Sequence, residues 1–205
     1  MMTAALAYAL ARKDYAYRKF TSAFVLIPLL FNGGMVSQYL VNTQLLNIND
    51  TIWALMLPYG VNVWFTFMMR SFFSGLPTEL YESAKMDGAG EFRIYFTIVL
   101  PLSTAGLATI GLFYAFAFWN DWWLAMLYIN KRQNLAPLQM LLQRIMMNIE
   151  FYTKQIPAGI RVEGGIPLEG TRMALAVLAA GPMLIAFPFF QKYFVKGISV
   201  GAVKG

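Results

Sequence analysis

Residues 82–101 read ESAKMDGAGEFRIYFTIVLP, and this stretch decides the fold. It is the only long polar stretch that has membrane-length apolar runs on both sides. Apolar helices that merely line a channel need no polar insertion of this kind, whereas a membrane protein driven by a soluble partner does. The stretch therefore predicts a helical membrane protein with a segment that receives a movement from outside the bilayer.

The composition supports a membrane protein. Hydrophobic residues make up 59% of the chain and charged residues 13%, compared with about 25% charged residues in a soluble domain. Cysteine and histidine are both absent, which removes disulfides, thiolate metal sites and the commonest general base and metal ligand. We therefore predict no metal and no cofactor, while catalysis by carboxylates or lysine stays open on composition alone. The net charge is +6. The basic residues cluster beside the apolar runs, and this placement favours a role in membrane topology over nucleic-acid binding.

Four runs are long enough to cross a bilayer, which takes about 20 mostly apolar residues. They are 21–41, 51–69, 98 to about 129, and 172–195. The third is too long for one straight span, so it should tilt, break or end in an interfacial turn. The run 1–11 is too short to span, and its charges follow it, unlike those of a signal peptide. We expect it to be the second half of a span, with the chain truncated at its N-terminus.

The positive residues predict the orientation. Loops rich in Lys and Arg face the cytoplasm, which places 12–20, 70–97 and the C-terminal tail inside. The cluster Arg12-Lys13-Asp14 is then an orientation signal. The segment 130–171 falls outside although it carries five Lys or Arg residues, a conflict that its length reduces because long loops weigh less. Within it, 135–149 has apolar residues at helical spacing, which predicts an amphipathic helix on the outer surface or under the span ends.

The polar segment between Arg70 and Ile98, here called the polar excursion, contains start and stop signals for two short helices. Ser74-Gly75-Leu76-Pro77 predicts a helix start, and Asp87-Gly88 predicts a turn. A second helix should begin near Ala89 and continue into the next span. A plain linker is the alternative, but links between packed helices are usually about 2–8 residues long. The small residues at its centre would let a partner approach closely, so docking and linking stay open on pattern alone.

These residues carry a resemblance. Glu82-Ser83-Ala84, three residues, Gly88, nine residues and Ile98-Val99-Leu100-Pro101 match the signature loop of ABC importer permeases, E-A-A-x3-G-x9-I-x-L-P, with Ser83 as the one departure. Phe118-Trp119-Asn120-Asp121 and the tail 189–205 are similar to the carbohydrate branch of that family, which transports oligosaccharides and polysaccharide fragments. The resemblance covers essentially the whole chain. The family normally has six spans, so the first and most of the second would be missing here.

The resemblance implies an all-α polytopic helix bundle with four full spans and a partial one, forming a single permease domain over 1–205. The loop 74–97 would be the coupling helix that sits in a cleft of a cytoplasmic ATPase. The implied docking residues are Glu79, Glu82, Ser83, Ala84, Asp87, Gly88, Ala89 and Phe92. The glycine-rich phosphate loop G-x4-G-K-[ST] does not occur in the sequence, so ATP hydrolysis would belong to the partner.

The implied assembly lies in the bacterial cytoplasmic membrane as a multi-pass protein with a cytoplasmic C-terminus. Its parts would be this chain, a second homologous permease, two cytoplasmic ATPase subunits and an external sugar-binding protein, in contact with lipid and without nucleic acid. ATP-driven closure of the ATPases would switch the pathway between outward and inward access for a sugar, most simply an oligosaccharide. For the tail 196–205, a frayed end and contact with the ATPases both remain open.

Four polar or aromatic residues in the spans are candidates for the substrate pathway: Asn62, Trp119, Asn120 and Trp122. Polar groups at membrane depth usually face a pathway or the bundle interior, and aromatic faces stack on sugar rings. The alternatives are an interfacial aromatic belt and asparagine bridges between helices. Gly106 and Gly111 are five residues apart and do not form a G-x3-G packing motif, so close packing there stays open.

Two other classes of protein compete with the importer. A stand-alone channel or secondary transporter for a small polar solute would need buried charges for ion coupling, and Asp121 is the one plausible intramembrane carboxylate. An intramembrane enzyme would need catalytic residues that this composition lacks.

Overall fold

The computed structural model describes the backbone of residues 1–155 and 168–202 and the side chains of 1–151 and 169–191. The described residues form helices joined by turns, as the all-α prediction requires. In chain order these are α1 (Met2–Ala11), α2 (Arg18–Leu30), α3 (Gly34–Leu40, continued by a π-helix Val41–Leu45), α4 (Ile52–Met56, continued by a 3-10 turn Leu57–Tyr59), α5 (Val63–Ser74), α6 (Thr78–Met86), α7 (Glu91–Ile94), a π-helix Tyr95–Val99, α8 (Leu100–Leu102), α9 (Thr104–Asn120), α10 (Trp123–Tyr128), a 3-10 turn Gln133–Leu135, α11 (Leu138–Gln155) and α12 (Leu168–Ala202).

The four predicted spans are not four straight helices. Among the described residues, one helix is long and apolar enough to cross a membrane, within α12 at Glu169–Gln191. Three further pairs of helices satisfy the same requirement only when each bent pair is counted as one span, which gives up to four. The predicted spans 21–41 and 51–69 thus coincide with bent helix pairs, and the long third run breaks, which is one of the three outcomes expected for it. Four full spans stay a prediction.

The first break separates α2 from α3 by a bend of 112°. Gly34 has a φ of +82°, a backbone conformation that glycine adopts without steric cost. The side-chain oxygen of Asn32 accepts a hydrogen bond from the Gly34 backbone N–H at 2.8 Å. Asn32-Gly33-Gly34 is a turn signal in the middle of an apolar run. A prediction based on hydropathy alone does not detect this signal.

The other two breaks follow the same local logic. The pair Ile52–Tyr59 and Val63–Ser74 bends by 50°, and Asn62 caps the second helix by accepting from the Phe65 backbone N–H at 3.1 Å. The pair Glu91–Leu102 and Thr104–Asn120 bends by 83°. That bend lies two residues after Pro101, which has no backbone N–H to donate.

The chain divides into two compact units. The first comprises Met1–Gln38, Leu57–Tyr114 and Phe189–Gly205. In its core α1 packs on α5, with Ala7 and Leu10 fully buried. The core side chains of α1, α5, α6, α7 and the following helical turns are Ala4, Ala7, Tyr8, Met69, Phe73, Tyr81, Ala84, Ile94, Tyr95, Val99 and Ile110. The short N-terminal run is thus a structural element of this unit.

The side chain of Phe72 in α5 packs against Gly106 of α9 in the first unit. A Cβ atom added to Gly106 would lie 2.6 Å from Cγ of Phe72, which is far inside van der Waals contact. The close packing that the spacing of Gly106 and Gly111 left open is therefore present at Gly106. Gly111 is different, because a Cβ there would lie 3.6 Å from Phe190, an ordinary contact.

The second unit comprises Tyr39–Met56 and Ala115–Pro188. Its buried Tyr128 accepts a hydrogen bond from the Asn42 side chain at 3.0 Å and stacks on Tyr39 at 5.8 Å. Asp50 accepts from three successive backbone N–H groups, of residues 130–132, at 2.7, 2.7 and 3.2 Å. These contacts hold the C-terminal end of α10 and the residues that follow it.

The amphipathic helix predicted at 135–149 is present as α11, shifted toward the C-terminus. Met140 of α11 packs on Ala125 and Ile129 in the core of the second unit. Residues 156–167 of the predicted outer segment lie outside the described residues. At the C-terminus the backbone is described to Ala202 and continues as α12, whereas the side chains of the predicted tail lie outside the described ones.

Candidate docking segment and substrate pathway

The predicted helix start signal at 74–77 covers the end of one helix as well as the start of the next, which begins at Thr78. Gly75 caps the C-terminus of α5, and Pro77 precedes α6 in an extended conformation. Ser74 and Gly75 therefore end one helix instead of starting the next, and only Pro77 takes part in the start. Glu79 lies in the first turn of α6 and Lys85 in its last turn, the two placements that the helix dipole favours.

The bend after α6 is confirmed and has a defined hydrogen-bond pattern. Gly88 has a φ of +75°. Its N–H donates to the carbonyl of Lys85 at 3.0 Å, and the Ala89 N–H donates to the carbonyl of Ala84 at 2.9 Å. This pair of bonds is the Schellman motif, which satisfies the last carbonyls of a helix and needs a left-handed residue at its centre. The next helix, α7, begins at Glu91, two residues later than expected.

Four large apolar side chains of the segment are exposed, namely Leu80, Met86, Phe92 and Phe96, and those beside the bend are exposed most. Met86 is 88% exposed before the bend and Phe92 is 83% exposed after it. Both flank a backbone that the Schellman motif holds rigid. Of the large apolar side chains that the structure describes, Met86 and Phe92 are the two most exposed.

The predicted docking residues divide between surface and interior. Six are exposed, namely Glu79, Glu82, Ser83, Asp87, Gly88 and Phe92, and Ala89 is half-buried. Ala84 differs, because it is only 7% exposed and packs in the core of the first unit. Its small side chain serves packing within this chain, which corrects its assignment to the docking face.

A ring of four charges lies behind the segment, and sequence reasoning missed it. Arg12 contacts Asp14 at 2.7 Å and Glu91 at 3.5 Å, while Lys85 contacts the same two carboxylates at 2.5 and 3.0 Å. We call these four residues the ion ring. Its opposite charges at 12–14 and 85–91 were visible in the sequence, but nothing local indicated that they meet. Arg12, assigned to orientation alone, has a structural partner.

The ion ring shifts the titration of its acids. The hydrogen bond from Lys85 is the main reason that the pKa of Asp14 is lowered to about 2. Burial by itself would raise the pKa of Glu91, but hydrogen bonds from Tyr8 and Lys85 outweigh it and the pKa is lowered. The Lys85 pKa is raised, chiefly by its hydrogen bond with Asp14. All four groups therefore keep their charge at neutral pH.

Two of the four predicted pathway residues make hydrogen bonds within the chain. In the first unit Asn62 caps α5, and its backbone N–H donates to the Tyr114 hydroxyl at 3.1 Å. In the second unit the Trp119 indole N–H donates to the carbonyl of Ala179 at 2.7 Å. Ala179 lies in the turn of α12 that precedes Pro182, next to Leu178, whose carbonyl has no helical donor because proline lacks an N–H.

Asn120, Trp122 and Asp121 lie around the start of α10. Asn120 is exposed, whereas Trp122 is half-buried and packs against the core of the second unit. One carboxylate oxygen of Asp121 accepts from the backbone N–H groups of Trp123 and Leu124 at 2.9 and 3.1 Å. The carboxylate on which the secondary-transporter alternative depended is thus occupied in capping a helix.

Residues 1–200 match the family of binding-protein-dependent transport system inner membrane components. The chain belongs to this family. The resemblance to ABC importer permeases that the signature loop carries is thereby confirmed, and the chain is a membrane-located transport component.

This inner membrane component is similar to curated proteins and to a solved structure. It is 40% identical to Protein LplC of Bacillus subtilis strain 168 over 99% of the chain and 68% of the relative. It is 38% identical to the polygalacturonan/rhamnogalacturonan transport system permease protein YtcP of the same organism, over 100% of the chain and 70% of the relative. A bacterial ABC transporter involved in the import of the acidic polysaccharide alginate superposes with a TM-score of 0.76 at 26% identity, over 92% of this chain and 66% of that one.

The inner membrane component thus spans 66 to 70% of the length of these three proteins. The solved structure agrees with the helical fold described above.

Proposed function

We propose that this chain is a permease subunit of an ATP-driven importer that carries oligosaccharides derived from polysaccharides across the cytoplasmic membrane. The sugar class is supported by the relatives, one named for polygalacturonan and rhamnogalacturonan and another for alginate. The partners are a second homologous permease, two cytoplasmic ATPase subunits that hydrolyse ATP, and an external sugar-binding protein. The C-terminus faces the cytoplasm in this proposal.

The observation that carries the mechanism is the exposed apolar pair at the bend of the polar segment. Met86 and Phe92 are apolar side chains exposed to water, which is unfavourable unless a partner covers them. The Schellman motif between them holds the backbone in one conformation. A rigid segment loses little conformational entropy when it docks. Residues 74–97 therefore form the coupling segment, with Met86 added to the docking residues that the sequence had indicated.

The substrate pathway is proposed to include Asn120, which is exposed, and Trp122, which is half-buried. Asn62 and Trp119 remain candidates with a stronger structural role, because each makes a hydrogen bond within its own unit. Sugar contacts would use the ring face of Trp122 and the amide of Asn120. A rise in the KM for sugar on replacing either residue by alanine, without loss of stability, supports this assignment.

Co-purification tests the docking function. The chain is expressed with its cognate partner permease and ATPase subunits, and the complex is isolated through a tag on this chain. The double variant Met86→Lys/Phe92→Lys should fold normally, because both side chains are exposed. It should lose the ATPase subunits or bind them at least about 10-fold more weakly, as expected when central apolar contacts of an interface are replaced.

Tyr17→Lys is the matched control. Tyr17 is also an exposed aromatic residue, 70% accessible, but it lies in the connection before α2, outside the coupling segment. It should retain the ATPase subunits. Unchanged ATPase retention in the Met86→Lys/Phe92→Lys variant would show that the segment is not the docking site.

A further inference from the structure

The ion ring joins parts of the first unit that are far apart in sequence. Arg12 and Asp14 lie in the connection between α1 and α2, Lys85 lies in the last turn of α6, and Glu91 is the first residue of α7. Each cation contacts both carboxylates. The ring therefore closes across the Gly88 bend and ties both sides of that bend to the end of α1.

Two tyrosines extend the ring into the core. The Tyr8 hydroxyl of α1 donates to the second carboxylate oxygen of Glu91 at 2.6 Å. The Arg12 guanidinium lies over the ring of Tyr81 of α6, 4.4 Å from its centre. Tyr8 and Tyr81 are themselves buried core residues. The contact between α1 and the coupling segment is consequently continuous from packed rings to charged groups.

The exposure of the four side chains indicates what the ring contributes. Arg12 is only 12% exposed, whereas Asp14, Lys85 and Glu91 are each more than 40% exposed. Half-exposed ion pairs add little stability, so the ring is a weak source of folding free energy. A network in which each charge has two opposite neighbours nevertheless fixes orientation, because moving any member separates two pairs at once.

We propose that the ion ring is the transmission contact between the coupling segment and the membrane helices α1 and α2. Asp14, Lys85 and Glu91 are positioning residues that make the segment and α1 move as one body when a partner displaces the Gly88 bend. This inference rests on the proposed function. It adds to docking a second requirement: the movement that Met86 and Phe92 receive reaches the pathway only while the ring is closed.

A cross-linking experiment tests the proposal on a chain that contains no cysteine of its own. The variant Asp14→Cys/Lys85→Cys is assembled with cysteine-free partner subunits and reconstituted in vesicles with the sugar-binding protein. Without cross-linker, the ATPase subunits should stay bound, but the sugar transported per ATP hydrolysed should fall about fivefold or more, the range of an ordinary coupling between sites. A bifunctional thiosulfonate reagent should restore the ratio, and dithiothreitol should abolish it again.

The structure leaves space for the cross-link beside Asp14. Asp14 borders two cavities of about 310 and 360 Å³, so a cross-linked pair can be accommodated beside it. The single variants Asp14→Cys and Lys85→Cys, treated with the same reagent, are the controls and should stay uncoupled. A transport-to-ATP ratio that is unchanged in the uncross-linked double variant, or one that cross-linking fails to restore, would overturn the proposal.

Glu91→Gln provides a second measurement that preserves shape. The amide oxygen can still accept from Tyr8, so the fold should be retained, while the contacts to Lys85 and Arg12 lose their charge. The same fall in the ratio is expected, and Lys85→Arg, which keeps charge and reach, should remain near wild type. A wild-type complex without ATPase subunits or sugar transport would refute the proposed function itself, before any ring variant is compared.

Discussion

The Asp121 carboxylate has a structural task at the start of α10. It accepts from two backbone N–H groups of the first turn, which is the role that a capping side chain performs at a helix N-terminus. A carboxylate used in this way is not free to bind and release a coupling ion. At the scale of one residue, this contact separates the importer from a secondary transporter.

Replacing Asp121 by asparagine should therefore leave transport nearly unchanged. The asparagine oxygen can accept the same two hydrogen bonds, whereas alanine cannot and should cost about 1 kcal/mol of stability. Sugar uptake and thermal unfolding of the purified complex provide the two measurements. Loss of uptake in Asp121→Asn with normal folding would favour ion coupling instead.

Asn62 raises the same question within the first unit. Its side chain caps α5, so Asn62→Ala should lower stability by about 1 kcal/mol and Asn62→Ser, which also caps well, by much less. The KM for sugar should stay the same in both variants if capping is the only role. A raised KM in Asn62→Ser, measured by uptake at several sugar concentrations, would instead place Asn62 in the substrate pathway.

Helix packing is the next scale, and Gly106 is its most constrained position. Alanine at 106 would place a methyl group 2.6 Å from Phe72, and overpacking of this kind typically costs about 1–3 kcal/mol. Gly111→Ala lies on the same helix and meets Phe190 only at 3.6 Å. It gains the same helix propensity without the clash, and so it is the matched control.

The expected order of thermal stability is Gly111→Ala above Gly106→Ala. Adding Phe72→Ala to Gly106→Ala should recover part of the loss, because the two side chains compete for one space and their effects are not additive. Unfolding of the detergent-solubilised chain, followed by tryptophan fluorescence, measures the three variants against the wild type. Equal stability of the two alanine variants would contradict the tight contact between Gly106 and Phe72.

The Schellman motif at Gly88 shows which backbone turns can be predicted from the local sequence. Gly88 was recognised as a turn because its conformation suits glycine, and the φ of +75° confirms it. The break at Asn32-Gly33-Gly34 follows the same rule and was missed, because an apolar count over 20 residues averages out a three-residue signal. The lesson for this chain is that glycine and asparagine inside an apolar run outweigh its mean hydropathy.

For the whole molecule, the ion ring predicts weak pH dependence near neutrality. The pKa values of Asp14 and Glu91 lie below their ordinary values in the folded chain. Groups of this kind contribute stability that is present above their ordinary pKa and is lost as the pH falls through the folded pKa. For Asp14 that loss should occur between about pH 4, its ordinary value, and about 2.

The difference in stability between wild type and Asp14→Asn should accordingly be constant between about pH 5.5 and 8 and shrink below about pH 4. Its size should be about 1 kcal/mol or less, because Asp14 and Lys85 are half-exposed and solvent screens them. Unfolding temperatures across this pH range measure the difference. A difference that changes between pH 6 and 8 would point to another titrating group, although histidine is absent from the sequence.

The sequence by itself determined the membrane class, the family and the bend of the coupling segment, because each rests on composition or on residues that are neighbours in the chain. Only the tertiary structure decided that Ala84 is buried, that Gly106 meets Phe72, and that Lys85 meets Asp14 across 71 residues. The physical reason is the separation along the sequence of the residues that interact. Backbone conformation and hydropathy are read within a few residues, whereas an ion pair or a close helix crossing exists only after the chain has packed.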